Sequence, residues 1–413
     1  MISYSGFTLD NGLRVIVHED PTVQIAVLNI LYDVGSRDEL ESKTGFAHLF
    51  EHLMFGGSVN IPNFDEPLQR VGGENNAFTN TDITNYYLTV PASNIETGFW
   101  LESDRMLSLS FDPTVLEVQR KVVIEEFKQR YLNQPYGDVW LKLRPLAYQV
   151  HPYKWATIGK EISHIENATM NDVKDFFFSH YVPNNAILVV AGNVTVNQVR
   201  RLAEKWFGPI PAGKKKLRAL PAEPTQLSAR HLDVEADVPA NAFYKVYHMP
   251  GRFHQDYFAA DLLSDVLGRG QSSRLYNTLV KEKEIFTSLS SFVMGTIDPG
   301  LLTISGRVKD GIGLQQAEAE VQQVVQQVLK NGINNQELEK VKNQARTTYE
   351  FDETEVMNRA MNLAFASLSG DTERVNRERV LIDEVSTDDM MRAAEEILKE
   401  ENASVMYYKS SMN

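Results

Sequence analysis

The chain has 413 residues, a formal net charge of −14 and no cysteine. Its length exceeds what one compact core usually organises, so two or three domains are expected. The acidic balance argues against a nucleic-acid-binding protein, which needs a basic surface, and the lack of cysteine excludes disulfides and thiolate metal ligands.

The N-terminal segment predicts a β-hairpin rather than a targeting signal. A strand-like run leads to the turn Asp10-Asn11-Gly12, and a second run follows from Leu13 to His18. No basic stretch precedes an apolar run there, and apolar runs such as 186–191 are far shorter than the ~20 residues of a membrane span. We therefore expect a cytoplasmic protein without a membrane segment.

The first half of the chain alternates strand-like and helical segments. The strand-like runs are 24–34, 82–90 and 186–191, and the helical segments are 45–55, 94–108, 113–131 and 196–207. Residues 209–229 follow, and their prolines and small or charged residues predict a linker.

The second half repeats this order of elements, although not the residues themselves. Its strand-like runs are 242–248, 289–294, 301–308 and 403–409, and its helical segments are 256–267, 314–330, 335–349 and 354–368. We therefore expect an α+β fold of two similar α/β halves, each an antiparallel-rich sheet with packed helices. The expected domains are 1–208 and 230–413, joined by the linker 209–229.

Residues 45–57 contain the pattern His-x-x-Glu-His, formed by His48, Glu51 and His52. On a helix, His48 and His52 lie one turn apart on the same face, so both imidazoles can reach one metal ion. Glu51 lies beside that face, where it can contact a water on the metal. This motif predicts a catalytic zinc site in which Glu51 is the general base.

A catalytic zinc ion usually has three protein ligands, so one more must come from another segment. Two adjacent glutamates, Glu125 and Glu126, lie on a later predicted helix. Glu125 has lysines one turn before and after it, as a solvated residue does, whereas Glu126 follows Val122 and Val123 by one turn and so shares a face with this apolar stripe. Arg130 is a competing partner for Glu126. The pattern favours Glu126 over Glu125 as the third ligand.

The motif and the distal glutamate together resemble the inverted-motif zinc peptidases, the family of pitrilysin, insulin-degrading enzyme and mitochondrial processing peptidase. The likeness covers nearly the whole chain and is strongest to the short bacterial-type members. In that family the third ligand is the second glutamate of such a pair, which is Glu126 here. Further similar segments are Leu9–Val15, Gly72–Thr79, Tyr181–Asn185, Val190–Asn193 and Gly270–Tyr276.

The resemblance implies a zinc-dependent endopeptidase that holds one Zn²⁺ per chain and hydrolyses peptides or small unfolded polypeptides. It implies that the first half carries the site, that the second is a non-catalytic repeat, and that both form half of a clamshell. A homodimer, or a heterodimer with a related subunit, would complete the chamber.

The resemblance also implies where a substrate peptide binds. The segment matching Asn76, Ala77, Phe78 and Thr79 lies at a sheet edge beside the metal, and the peptide adds there as a strand. In similar proteins Asn76 and Ala77 would contact the peptide backbone. The alternative interpretation of Asn75-Asn76 is an ordinary turn.

One departure concerns an arginine and a tyrosine that similar self-sufficient enzymes carry in their second half. The matching residues here are Val280 and Thr287. Either a partner subunit supplies that pair, or the activity of this chain is weak. A non-catalytic or regulatory peptidase half is therefore the alternative function. A third possibility is a structural zinc site with a fourth ligand, for which His151 is the candidate.

Overall fold

The computed structural model describes residues 1–214 and 218–411. The predicted linker 209–229 is therefore described only in part, because its residues 215–217 lie outside those ranges. Among the described residues, none of the helices combines the length and the apolar character that a membrane crossing requires.

The described residues form eleven strands and fourteen α-helices. The strands are β1 Ser5–Thr8, β2 Arg14–Glu19, β3 Ile25–Tyr32, β4 Glu74–Thr79, β5 Thr84–Pro91, β6 Ala186–Gly192, β7 Arg230–Ala236, β8 Ala242–Met249, β9 Phe286–Met294, β10 Gly300–Val308 and β11 Ala403–Ser410. The helices are α1 Phe46–Leu53, α2 Asp65–Arg70, α3 Ile95–Leu107, α4 Pro113–Phe127, α5 Val139–Ala147, α6 Ile162–Glu166, α7 Met170–His180, α8 Val196–Trp206, α9 Tyr257–Gly268, α10 Leu314–Asn331, α11 Asn335–Asp352, α12 Val356–Leu368, α13 Arg374–Glu384 and α14 Thr387–Ile397.

The chain divides into two compact units, and each is built from three segments. Unit 1 consists of Met1–Leu132, Trp155–Pro221 and Glu350–Arg377, and unit 2 consists of Asn133–Lys154, Ala222–Tyr349 and Glu378–Asn413. These units differ from the continuous domains 1–208 and 230–413 expected from the sequence, because each half gives one segment to the other unit.

The exchanged segments contain α5 and α12, which occupy equivalent places in the two halves. In unit 1, α12 packs on β3 and β6, where Ala360 and Leu363 are fully buried. In unit 2, α5 packs on β7, β8 and β11 with Leu143 and Ala147 buried. Each helix has an apolar face that needs a sheet. The pattern of that face does not reveal which of two sheets will cover it.

The sheet of unit 1 has the strand order β1-β2-β6-β3-β5-β4. Strands β2 and β6 run parallel, and the other neighbours are antiparallel. The central strands β3 and β6 are buried along almost their whole length. This burial explains their nearly continuous apolar sequence, which only the buried Asn29 of β3 interrupts, since a strand covered on both faces has no reason to alternate.

The sheet of unit 2 has the order β7-β11-β8-β10-β9 and the same pattern of parallel and antiparallel neighbours once β1 is set aside. The α+β fold of two similar halves is therefore confirmed. In chain order, α1 lies between β3 and the edge strand β4. Its counterpart in unit 2 is α9, which lies between β8 and the edge strand β9.

One predicted helix ends earlier than expected. The apolar pattern over 113–131 predicted a single helix, but α4 ends at Phe127 and residues Lys128–Leu132 continue as a π-helical turn. Such turns are rare and occur frequently at functional sites.

Candidate metal centre

Helix α1 holds both histidines of the motif. Its side chains Leu49, Phe50 and Leu53 are buried and fix the rotation of the helix about its axis. His48 and His52 then project from the part of the surface that remains half-buried, with 13% and 24% of their side chains exposed. Their rings meet edge to face with centroids 4.9 Å apart.

A buried carboxylate secures the N-terminus of α1. Gly45 precedes the helix with φ of 86°, a left-handed conformation that favours glycine. The side chain of Glu39 accepts hydrogen bonds from the backbone N–H of Gly45 at 2.9 Å and of Ala47 at 2.8 Å. Burial raises the pKa of Glu39 well above its ordinary value. The sequence did not reveal this contact, because Glu39 lies in an irregular segment without a periodic pattern.

Helix α4, which carries Glu125 and Glu126, packs against α1. Val123 is fully buried, and Glu126 follows it by one turn, so Glu126 is directed toward α1. Val122 is 43% exposed, which corrects its assignment to the same apolar stripe. Glu125 is exposed and pairs with Lys128 at 2.7 Å, the solvated arrangement that the sequence predicted.

His48, His52 and Glu126 converge on one point. One ligand atom of each residue lies within 4.8 Å of the other two. Glu126 Oε2 is 3.6 Å from His48 Nε2 and 3.5 Å from His52 Nε2. Two ligands on a tetrahedral zinc ion, at bond lengths near 2.1 Å, are about 3.4 Å apart. The donor atoms and their spacing therefore fit a zinc ion.

The electrostatic environment favours metal-binding protonation states. Burial lowers the pKa of His48 to about 4, so its imidazole is neutral at neutral pH. The adjacent His52 imidazole, more than any other group, lowers the pKa of Glu126, and His48 and Arg130 act in the same direction. A neutral imidazole and an ionised carboxylate are the forms that coordinate zinc.

Glu51 lies on α1 immediately before His52 and is not one of the three candidate metal ligands. Burial raises the pKa of Glu51, and the neighbouring Thr79 partly opposes that effect. A carboxylate with a raised pKa is a stronger base than an ordinary glutamate.

The predicted peptide-binding residues lie on β4, the edge strand of the unit 1 sheet. This strand pairs with β5 alone in the part of the chain that the structure describes, and α1 packs beside it. Asn76 and Phe78 are exposed, whereas Ala77 and Thr79 are half-buried. The segment is therefore a strand and not the turn that was the alternative interpretation of Asn75-Asn76.

Three further residues singled out from the sequence lie in unit 2. Val280 packs against the apolar core, and the hydroxyl of the exposed Thr287 donates to the carbonyl oxygen of Arg307 at 3.3 Å. His151 lies 3.4 Å from Asp298 and is not part of the metal-binding group. Among the described residues, the group that could hold a metal ion does not include His151, so it gives no support to the alternative of a structural zinc site.

Comparisons with known proteins identify the family. Residues 14–159 match the family model described as insulinase, peptidase family M16, and residues 167–345 match the one described as peptidase M16 inactive domain. The zinc protease PqqE of Helicobacter pylori is 30% identical over 98% of this chain and 93% of its own length. The chain belongs to peptidase family M16. All four residues of the predicted zinc centre lie in the segment that matches the insulinase model of this M16 family.

Solved structures of M16-like proteins share the fold. The crystal structure of a protease from Helicobacter pylori matches with a TM-score of 0.92 and 29% identity, covering 99% of this M16 chain and all of its own. The periplasmic protease PqqL of Escherichia coli matches 99% of this chain with a TM-score of 0.81 and 18% identity, but only 48% of its own length is covered. The PqqL chain is therefore about twice as long as the part that shares the fold.

Proposed function

We propose that this chain is a zinc-dependent endopeptidase that cleaves peptides or small unfolded polypeptides. The observation that carries the proposal is the convergence of His48, His52 and Glu126 with spacings that fit zinc, with Glu51 adjacent to His52 but outside that group. M16 relatives named as zinc proteases support the same chemistry.

His48, His52 and Glu126 would hold one Zn²⁺ and leave a coordination position open. When bound there, zinc supplies a Lewis acid that makes water more acidic and polarises a carbonyl group. Glu51 then takes the proton from the attacking water and returns it to the leaving amine. The same carboxyl group therefore acts first as the proton acceptor and then as the proton donor.

The edge strand β4 would bind the substrate. Its outer edge offers unpaired backbone N–H and C=O groups, and an extended peptide can pair with them as an added strand. Asn76, Ala77, Phe78 and Thr79 would form this binding segment, and Thr79 also lies beside Glu51. Pairing through the backbone selects extended chains and leaves few side-chain determinants of specificity.

A partner subunit would complete the enzyme. The similar fold occupies about half of the longer PqqL chain, and Val280 and Thr287 offer no guanidinium or phenol here. A second copy of this chain, or a related subunit, would supply the other half.

The alternative function, a regulatory half without catalysis, conflicts with the presence of all three candidate zinc ligands and of Glu51. A cytoplasmic location stays a prediction.

The test is cleavage of peptides of ~10–30 residues, a length that a closed chamber can hold. The wild-type chain is expected to cleave them and to lose this activity in a chelator. Glu51→Gln is expected to keep its zinc and to lose about 10²–10⁴-fold in kcat, the usual contribution of a general base. A zinc-loaded wild type that cleaves nothing would reject a self-sufficient peptidase, and undiminished Glu51→Gln activity would reject the role of Glu51.

A further inference from the structure

The two carboxylate oxygens of Glu126 face different groups. Oε2 lies 3.5–3.6 Å from the Nε2 atoms of His52 and His48. Oε1 instead forms an ion pair with Nη1 of Arg130, which lies 2.8 Å away. The sequence presented Arg130 and the metal as competitors for Glu126, but in the structure Arg130 faces Oε1 and the two imidazoles face Oε2.

Arg130 contributes little to the stability of the fold. Its side chain is 70% exposed, and solvent-exposed ion pairs contribute only about 0–1 kcal/mol. It belongs to the π-helical turn Lys128–Leu132 that directly follows α4. The side chain therefore stands at the rim of the metal centre without supporting the core.

We propose that Arg130 is a positioning residue that restricts Glu126 to one coordinating oxygen. This inference rests on the proposed zinc centre and concerns how the third ligand is held there. A carboxylate can bind zinc through one oxygen or through both. The guanidinium of Arg130 occupies Oε1, so only Oε2 is available to the metal. The two histidines and one oxygen then leave the fourth position open for water, as catalytic zinc sites require.

The same turn provides a matched control. Lys128 also belongs to the π-helical turn, is 44% exposed, and pairs with Glu125 at 2.7 Å. Lys128→Gln removes one positive charge and one exposed ion pair, as Arg130→Gln does, but it leaves both oxygens of Glu126 in place. A difference between the two variants therefore reports on the contact with Glu126 and not on net charge or on the turn.

The experiment is titration of the metal-free wild type, Arg130→Gln and Lys128→Gln with Co²⁺, which adopts zinc-like sites and has visible absorption bands that depend on coordination number. Wild type and Lys128→Gln are expected to give the intense bands of four-coordinate Co²⁺. Arg130→Gln is expected to give the weaker bands of five-coordinate Co²⁺, because Oε1 becomes free to bind. Its zinc affinity is expected to fall by about 10-fold, as when other groups that orient a ligand are removed.

An Arg130→Gln spectrum that superimposes on that of wild type would overturn the proposal. A loss of peptide cleavage with that unchanged spectrum would mean that Arg130 contacts substrate, and it overturns the proposal equally. The spectrum does not depend on peptide cleavage. If the wild type cleaves no peptide and Arg130→Gln still changes the spectrum, the proposed function fails and this inference stands.

Discussion

At the scale of single residues, the contacts of Asp20 and Arg359 hold helix α12 in place in unit 1. Asp20, at the end of β2, accepts a hydrogen bond from the Thr22 hydroxyl at 2.5 Å and pairs with Arg359 of α12 at 2.8 Å. Arg359 also contacts Nε2 of His18 at 3.0 Å. These contacts fasten α12 to the sheet that it covers.

Asp20 predicts a pH dependence of stability. The Thr22 hydrogen bond, followed by Arg359, lowers the pKa of Asp20 to about 2, below the ~3.9 of an unperturbed aspartate. A lowered pKa in the folded chain means that the ionised group stabilises the fold above pH ~4 and that this contribution is lost as the pH falls toward 2. In urea titrations the stability advantage of wild type over Asp20→Asn should be constant from pH 8 to 5 and shrink below pH 4.

The control for this prediction is Asp10→Asn on the exposed N-terminal turn. It removes the same charge without an ion pair and should show no such pH-dependent advantage. An Asp20→Asn difference that stayed constant down to pH 2 would show that the Asp20 charge does not fasten α12.

Sequence patterns predicted some of the site residues and missed others for physical reasons. His48, Glu51, His52 and Glu126 stand out because helical spacing fixes which side chains share a face. Glu39 acts across an irregular segment, and no periodicity marks such a contact.

At the scale of elements, the position of α1 depends on its N-terminal cap. Glu39→Ala would leave the backbone N–H groups of Gly45 and Ala47 without their acceptor. Burying an unpaired donor costs about 1–3 kcal/mol, so the free energy of unfolding should fall by at least that amount in urea denaturation. Zinc affinity should fall as well, because His48 lies in the first turn of α1.

Glu41→Ala is the matched control for the cap. Glu41 is an exposed glutamate 3.5 Å from Lys160, and an exposed pair of this kind contributes about 0–1 kcal/mol. Equal losses in the two variants would contradict the role of Glu39 as the cap of α1.

The elements were predicted most accurately where their sequence is strongly apolar. Strands β3 and β6 are nearly continuous apolar runs and were predicted close to their observed bounds. Strand β7 was missed although its sequence, RHLDVEA, alternates polar and apolar residues, because it carries three charged side chains and directly follows the predicted linker. Helix α13 was missed because its sequence is mostly charged and shows no clear apolar face.

At the scale of the whole molecule, the sequence predicted two similar halves but not the exchange between them. The matching strand orders of the two sheets confirm the repeat. Helices α5 and α12 join the sheet of the other half, and an apolar helix face is compatible with either sheet. The three candidate metal ligands all come from residues 1–132, so the candidate site lies entirely within one continuous segment of unit 1.

The measurement that tests the account most directly is zinc binding by the wild type, Glu126→Gln and Glu125→Gln in competition with a chelator. The two variants alter neighbouring glutamates on α4, of which only Glu126 approaches the histidines. We predict about one zinc per wild-type chain, an unchanged affinity in Glu125→Gln, and a loss in Glu126→Gln greater than the ~10–100-fold cost of removing a supporting group. Equal affinities in the two variants, or a wild type that binds no zinc, would contradict the proposed metal centre.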